Sequence, residues 1–71
     1  MKIDLDNLYK ILLMENIFYY DMENMIVEND LLISVDLKIY RGYLGRHIKR
    51  RVRIILIYEG QHFIRYTIED L

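Results

Sequence analysis

The side chains best suited to covalent or proton-transfer chemistry are two histidines, His47 and His62, and the only hydroxyls besides the tyrosines, Ser34 and Thr67. A nucleophilic site needs a hydroxyl within hydrogen-bond reach of a base, and a metal site needs several ligands that converge. The strand pairing derived below puts His47 near one turn on the outer face and His62 near another turn on the opposite face. The two therefore share no metal, do not form an acid–base pair, and leave Ser34 and Thr67 without a histidine neighbour. The chain has no Cys, hence no thiolate, disulfide or Cys-based zinc site. Gly42 and Gly45 belong to a β turn and do not precede a helix, as a phosphate-binding loop requires. The acids Glu15, Glu23, Glu28 and Asp30 read as surface charges. No catalytic residue, cofactor or metal is expected, and the chain reads as a non-enzyme.

The chemistry left is recognition. Basic residues alternate with aromatic ones around a single turn: Tyr40, Arg41, Tyr43, Leu44, Arg46, Lys49, Arg51 and Arg53. Tyr and Arg are favoured anchors of protein interfaces, so these eight are the expected partner-binding residues. The first reading is a small protein-interaction module, an inhibitor or modulator of another protein, whose partner has an acidic surface. The alternative is a nucleic-acid binder in which the basic face of residues 46–53 meets phosphates while Tyr40, Tyr43 and His47 stack on bases. A sequence pI of about 6.1 speaks against the alternative, because nucleic-acid-binding domains are usually clearly basic. The plainest reading is a solvated basic strand.

Charge is divided along the chain. Residues 1–36 carry two bases against eight acids, and residues 37–71 carry eight bases against three acids, nets of −6 and +5 that give −1 overall. Such an asymmetry is satisfied inside the domain, across a dimer, or by an acidic partner; internal satisfaction is the expectation.

These residues are positioned by one long β-hairpin over residues 31–58. Along 31–41 one face reads Leu31, Ile33, Val35, Leu37 and Ile39, and the other Leu32, Ser34, Asp36, Lys38 and Tyr40. That period of two is a half-buried strand. The return strand, 46–58, puts Ile48, Arg50, Val52, Ile54, Leu56 and Tyr58 on one face and His47, Lys49, Arg51, Arg53, Ile55 and Ile57 on the other. A four-residue loop, 42–45, sets Ile39 opposite Ile48, Val35 opposite Val52, Ile33 opposite Ile54 and Leu31 opposite Leu56. Only Leu37 opposite Arg50 spoils the apolar face. A third strand, 62–69, follows a three-residue loop, 59–61, or an equivalent bulge beside Gly60. It then places His62, Ile64, Tyr66 and Ile68 on the core face and creates an outer row Asp36–Arg51–Glu69.

A helix is expected over residues 5–15, capped by Asp4 or Asp6. Leu5, Leu8, Tyr9 and Leu12 follow helical spacing, and Ile11, Leu13 and Met14 widen the apolar stripe, so the helix either simply covers the sheet or also packs its far side on a second subunit or a partner. Residues 17–28 read as two short strands around a polar turn, with a helix continued to about Asn24 as the alternative, since no Gly or Pro interrupts it. The fold class is α+β, with one N-terminal helix packed on an antiparallel sheet of three to five strands built around the long hairpin. Seventy-one residues make a single domain, 1–71. On the outer face, Leu32, Ile55, Ile57 and Phe63 gather four large apolar side chains that water does not favour. Either the segment after the helix covers them or a second copy does, which makes them the expected homodimer interface; small cores without staples often lean on oligomerisation.

The apolar runs are too short for a membrane span, and charged residues interrupt the N-terminal apolar stretch as no signal peptide permits. A cytoplasmic protein with no membrane partner is expected. The chain lacks Ala, Pro, Trp and Cys while holding twelve isoleucines and seven tyrosines. This is the composition of a low-GC genome and fits a small phage or mobile-element protein, in which case the cytoplasm is the host's and the interaction target is a host or defence factor.

Overall fold

In the computed structural model, residues 5–29, 31–42 and 47–71 are described. A helix, α1 (Leu5–Met14), precedes four strands, β1 (Tyr20–Glu28), β2 (Leu32–Tyr40), β3 (Ile48–Glu59) and β4 (His62–Asp70). The strands form one antiparallel meander in the order β1-β2-β3-β4. The fold is therefore a small α+β arrangement of one helix and four strands.

The helix stops for a specific reason. Asn16 adopts φ 57°, and the Asn16 N–H donates to the Leu13 carbonyl at 3.2 Å while the Ile17 N–H donates to that of Leu12 at 2.9 Å. This is the Schellman arrangement, in which a left-handed residue, usually Gly and sometimes Asn, closes the last turn. Its hydrophobic clasp is present too, as Leu12 and Ile17 are both buried. Asp6 lies within the first turn, where its charge complements the helix dipole; Asp4 lies outside the described residues.

Residues 17–28 correct the expected pair of short strands, and the continued helix as well. After the Asn16 turn the chain runs extended as the single strand β1, and Asp21–Asn24 supply no turn. Their polarity marks a β-bulge between Met22 and Asn24 instead. The extra residue, Glu23, lets Tyr20 and Met22 share a face with Met25 and Val27 across the irregularity.

The β2–β3 hairpin keeps the expected faces but shifts its register by two residues. Ile33 pairs with Leu56, Val35 with Ile54, Leu37 with Val52 and Ile39 with Arg50. A shift of two preserves every inward and outward side chain, which is why the pattern alone cannot distinguish the two. It moves the mismatch from Leu37 to Ile39, which now stands opposite Arg50 at the end of the paired strand, and a bulge at Ile39/Tyr40 brings Tyr40 opposite Ile48. The turn expected at 42–45 falls mostly outside the described residues.

The β3–β4 connection is a two-residue turn, Gly60-Gln61, closed by Glu59 opposite His62. Gly60 has φ 62°, the first-position requirement of a type II′ hairpin. A Gly60→Val substitution is expected to cost about 1–2 kcal/mol, because a β-branched residue resists this φ; chemical denaturation measures it. A bulge at Ile57/Tyr58, the alternative to a longer loop, sets Ile57 opposite Arg65 and Tyr58 opposite Phe63. Leu56 then meets Tyr66 and Ile54 meets Ile68, so the rows assigned to β4 are displaced. Phe63 is turned to the core side, edge-on to Tyr58 at a centroid distance of 5.7 Å, and His62 is exposed.

The core lies between α1 and one face of the sheet. Leu8, Ile11, Leu12 and Ile17 pack with Ile33, Val35, Leu37, Ile39, Val52, Ile54, Leu56 and Tyr58. No polar side chain is buried among the described residues. Tyr66 braces the helix end by donating its hydroxyl to Glu15 Oε1 at 2.7 Å, and this bond, with burial, raises its pKa above the ordinary phenol value.

Candidate functional site

The tip of the β2–β3 hairpin extends past both neighbouring strands. On one side β1 begins opposite Ile39, with the Tyr40 N–H donating to the Tyr19 carbonyl at 2.8 Å. On the other, β4 ends with Asp70 opposite Val52, and the Leu71 N–H donates to the Arg51 carbonyl at 3.0 Å. Residues 48–50 of β3 therefore have a paired strand on one side only. Arg41, His47, Ile48, Lys49 and Arg50 are exposed there, and Arg41 N–H donates to the His47 carbonyl at 3.0 Å, holding the two arms together.

The partner-binding set divides into three groups. Arg41 and Lys49 lie at the tip and form no ion pair within the described residues. Tyr43, Leu44 and Arg46 lie outside the described residues. Tyr40, Arg51 and Arg53 are engaged by the chain's own acids. Tyr40 donates its hydroxyl to Asp21 Oδ2 at 2.6 Å. Arg51 Nε stands 3.5 Å from Glu23 Oε1, and Lys38 Nζ 4.0 Å from Glu23 Oε2. Arg53 grips Asp36 through two bonds, Nε to Oδ1 at 2.7 Å and a terminal nitrogen to Oδ2 at 3.1 Å. Acids of the first half thus neutralise bases of the second, as the charge split anticipates. The cross-strand row is Asp36–Arg53–Glu69, centred on Arg53 where Arg51 was expected, for the same two-residue reason.

Sequence reasoning missed Arg50 and Ile48 as tip residues. Arg50 continues the core-face alternation past the last buried residue, Val52, the Ile39/Tyr40 bulge sets Ile48 opposite the outer-face Tyr40, and each is exposed. The signal was available for Arg50, the one cation on an otherwise apolar face, which a register placing it nearest the end of the covered strand accommodates best.

Asp36 gives the charged row a pH signature. The two hydrogen bonds from Arg53 hold its carboxyl below the usual carboxylate range, against burial that pushes it up and with help from the Arg53 charge. A depressed acid contributes stability above its unfolded value, near 3.8, and loses it as pH falls through the folded value. Asp36→Asn is therefore expected to be less stable than the parent at neutral pH, with the gap closing as pH drops below the ordinary Asp value. Urea midpoints across the acid range check this; a gap independent of pH contradicts it.

His47 and His62 stand at opposite ends of β3, about 35 Å apart for a twelve-residue strand. Ser34 and Thr67 both flank Ile55 on the outer face. Among the described residues no group of three or more His, Asp or Glu is placed to hold a metal. No helix of the described residues is long and apolar enough to cross a membrane.

The outer face opposite the helix carries an apolar strip: Leu32, Ile55 and Ile57, half-buried, with Ile26 of β1 exposed beside them. Phe63, expected among them, is on the other face because of the Ile57/Tyr58 bulge. Neither β1 nor the helix covers the strip. A second apolar surface lies at the edge of the helix, a groove of about 270 Å³ lined by Tyr9, Leu12, Leu13, Ile17, Phe18 and Tyr20. The broad helix stripe is thus covered by the sheet on only one side. Comparisons with family models, with curated proteins and with solved structures found no match to this chain.

Proposed function

We propose that this chain is a small protein-interaction module that presents the tip of its β2–β3 hairpin to a protein with an acidic surface. The observation that carries the reading is the projection of a two-stranded, basic tip beyond both flanking strands. Arg41, Lys49 and Arg50 offer charge and bidentate geometry, and Ile48 offers apolar area beside them. Interfaces draw their affinity from such Arg and apolar anchors, with steering by complementary charge. Tyr43, Leu44 and Arg46 continue the same composition in the sequence between the two arms. The composition of the chain fits a phage or mobile-element product acting in the cytoplasm, where such a module inhibits or modulates a host or defence factor.

Nucleic acid is the second reading, favoured by one observation: residues 37–58 hold seven Lys and Arg and no Asp or Glu. Lys38, Arg51 and Arg53 are already tied to acids, however, which leaves few cations for phosphates. Recovery of a partner from lysate with and without nuclease separates the two. A nuclease-resistant protein supports the module; recovery abolished by nuclease supports nucleic acid, whose affinity is then expected to fall steeply with salt.

A further inference from the structure

We infer that two copies of this chain associate through the outer faces of their sheets, about a two-fold axis running along the strands between β2 and β3. The face is uncovered, and its central strip, Ile26, Leu32, Ile55 and Ile57, is apolar. What selects a second copy as the occupant is the charge at the two edges. Cross-strand pairing builds the row Glu28–Leu32–Ile57–Arg65. Its acid stands on the β1 edge and its base on the β4 edge, about 14 Å apart across three strand spacings. Neither residue forms an ion pair within the described residues, although each is exposed.

A two-fold along the strands exchanges the edges. It sets Glu28 of each copy over Arg65 of the other, and Leu32 over Ile57, twice. In the next row, Ile26–Ser34–Ile55–Thr67, Ser34 faces Ile55 and Ile26 faces Thr67, with no charge buried. In the third, Asp36 faces Arg53. A two-fold across the strands through the same row would instead set Glu28 on Glu28 and Arg65 on Arg65, so the edge charges of this row favour the axis along the strands; towards the tip that axis sets Lys38 over Arg51, each already paired with Glu23 of its own chain. The result is an aligned two-sheet sandwich, a packing common to antiparallel sheets, and it is isologous, as closed dimers require. The hairpin tips lie beyond these rows, so the association is independent of what the tip binds.

Sedimentation equilibrium of the full chain from micromolar to hundreds of micromolar tests the arrangement. The parent is expected to dimerise. Glu28→Arg and Arg65→Glu each place two like-charge pairs in the interface and are expected to weaken the dimer about tenfold or more. An equimolar mixture of the two variants recovers it, because the arginine introduced on the β1 edge of one chain then meets the glutamate introduced on the β4 edge of the other. The double swap, Glu28→Arg with Arg65→Glu, also recovers it and carries the test where a single variant folds poorly, with thermal melting as the folding control. A parent that is monomeric throughout, single variants that dimerise like the parent, or a mixture and double swap that both stay monomeric would each overturn the inference. Dimers that persist in every variant would overturn it too, and would point to the helix-edge groove.

Discussion

Truncating Ile54 to alanine is expected to lower the unfolding free energy by about 2–5 kcal/mol. Ile54 is fully buried on β3, a central strand, with Val35 on one side and Ile68 on the other. The helix side chains Leu8 and Ile11 belong to the same core, so the backbone around the lost atoms is held from several directions and collapses little. A cavity left open adds its own cost to the lost burial. A domain of this length is expected to hold only about 3–5 kcal/mol from its core, so this change removes most of the margin. Ile54→Val, expected to cost about 0.5–1.5 kcal/mol, gives a measurable reference if the alanine variant is unfolded. Urea denaturation of both reads the ratio. A loss below about 1 kcal/mol for alanine would mean that the site collapses or that β3 is not central.

Ile17→Asp is expected to do at least as much by a different route. Ile17 is 4% exposed and forms the hydrophobic half of the turn that ends the helix, while its N–H closes onto Leu12. A carboxylate there would sit in a core whose described members are all apolar or aromatic, and an unpaired buried charge costs several kcal/mol or expels its segment from the core. A ten-residue helix does not persist in water without packing, so undocking it also melts it. The expected result is loss of the helical circular-dichroism signal together with dye binding to the uncovered sheet face. Retention of helix and of the parent's midpoint would contradict the role given to the Asn16–Ile17 turn.

Much of the fold was legible because its signals are periodic. The alternation in β2 and β3 assigns the faces of the long hairpin up to the bulge at Ile39/Tyr40, and a half-buried strand can be read in no other phase without exposing its apolar set. The α+β class and the helix follow from the same kind of pattern. What escaped were features of single residues. Asn16 ends the helix in a left-handed conformation that Gly usually supplies, so neither Gly nor Pro marks the helix end in the sequence. Glu23 is a bulge, and nothing in a polar tetrapeptide distinguishes a bulge from a turn. A register shift of two is invisible to a period of two, since either register sets Arg50 opposite an apolar residue, Leu37 in one and Ile39 in the other. The bulge at Ile57/Tyr58 moved Phe63 to the core side and took it out of the outer cluster.

The candidate surface was legible to the same depth. Its basic character was plain, yet which cations remain available depends on pairings across strands. Arg51 and Arg53 looked like partner contacts and are engaged by Glu23 and Asp36, acids contributed by β1 and β2. Arg50 looked like a core intruder and stands at the tip. Alternation assigns a face, but only the extent of the neighbouring strands and helix decides where that face is covered.

The claim that one hairpin divides its labour between a stabilising body and a binding tip is tested by comparing two variants within β3. Lys49→Glu with Arg50→Glu changes the tip; Val52→Ala changes the adjacent core position, which is fully buried. Unfolding midpoint and capture of the partner are measured on both, the second at a temperature where Val52→Ala is folded. The tip variant is expected to keep its stability within about 0.5 kcal/mol of the parent, as exposed changes usually do, and to lose the partner. Val52→Ala is expected to lose stability and keep the partner. A tip variant that captures the partner as well as the parent does would contradict the account.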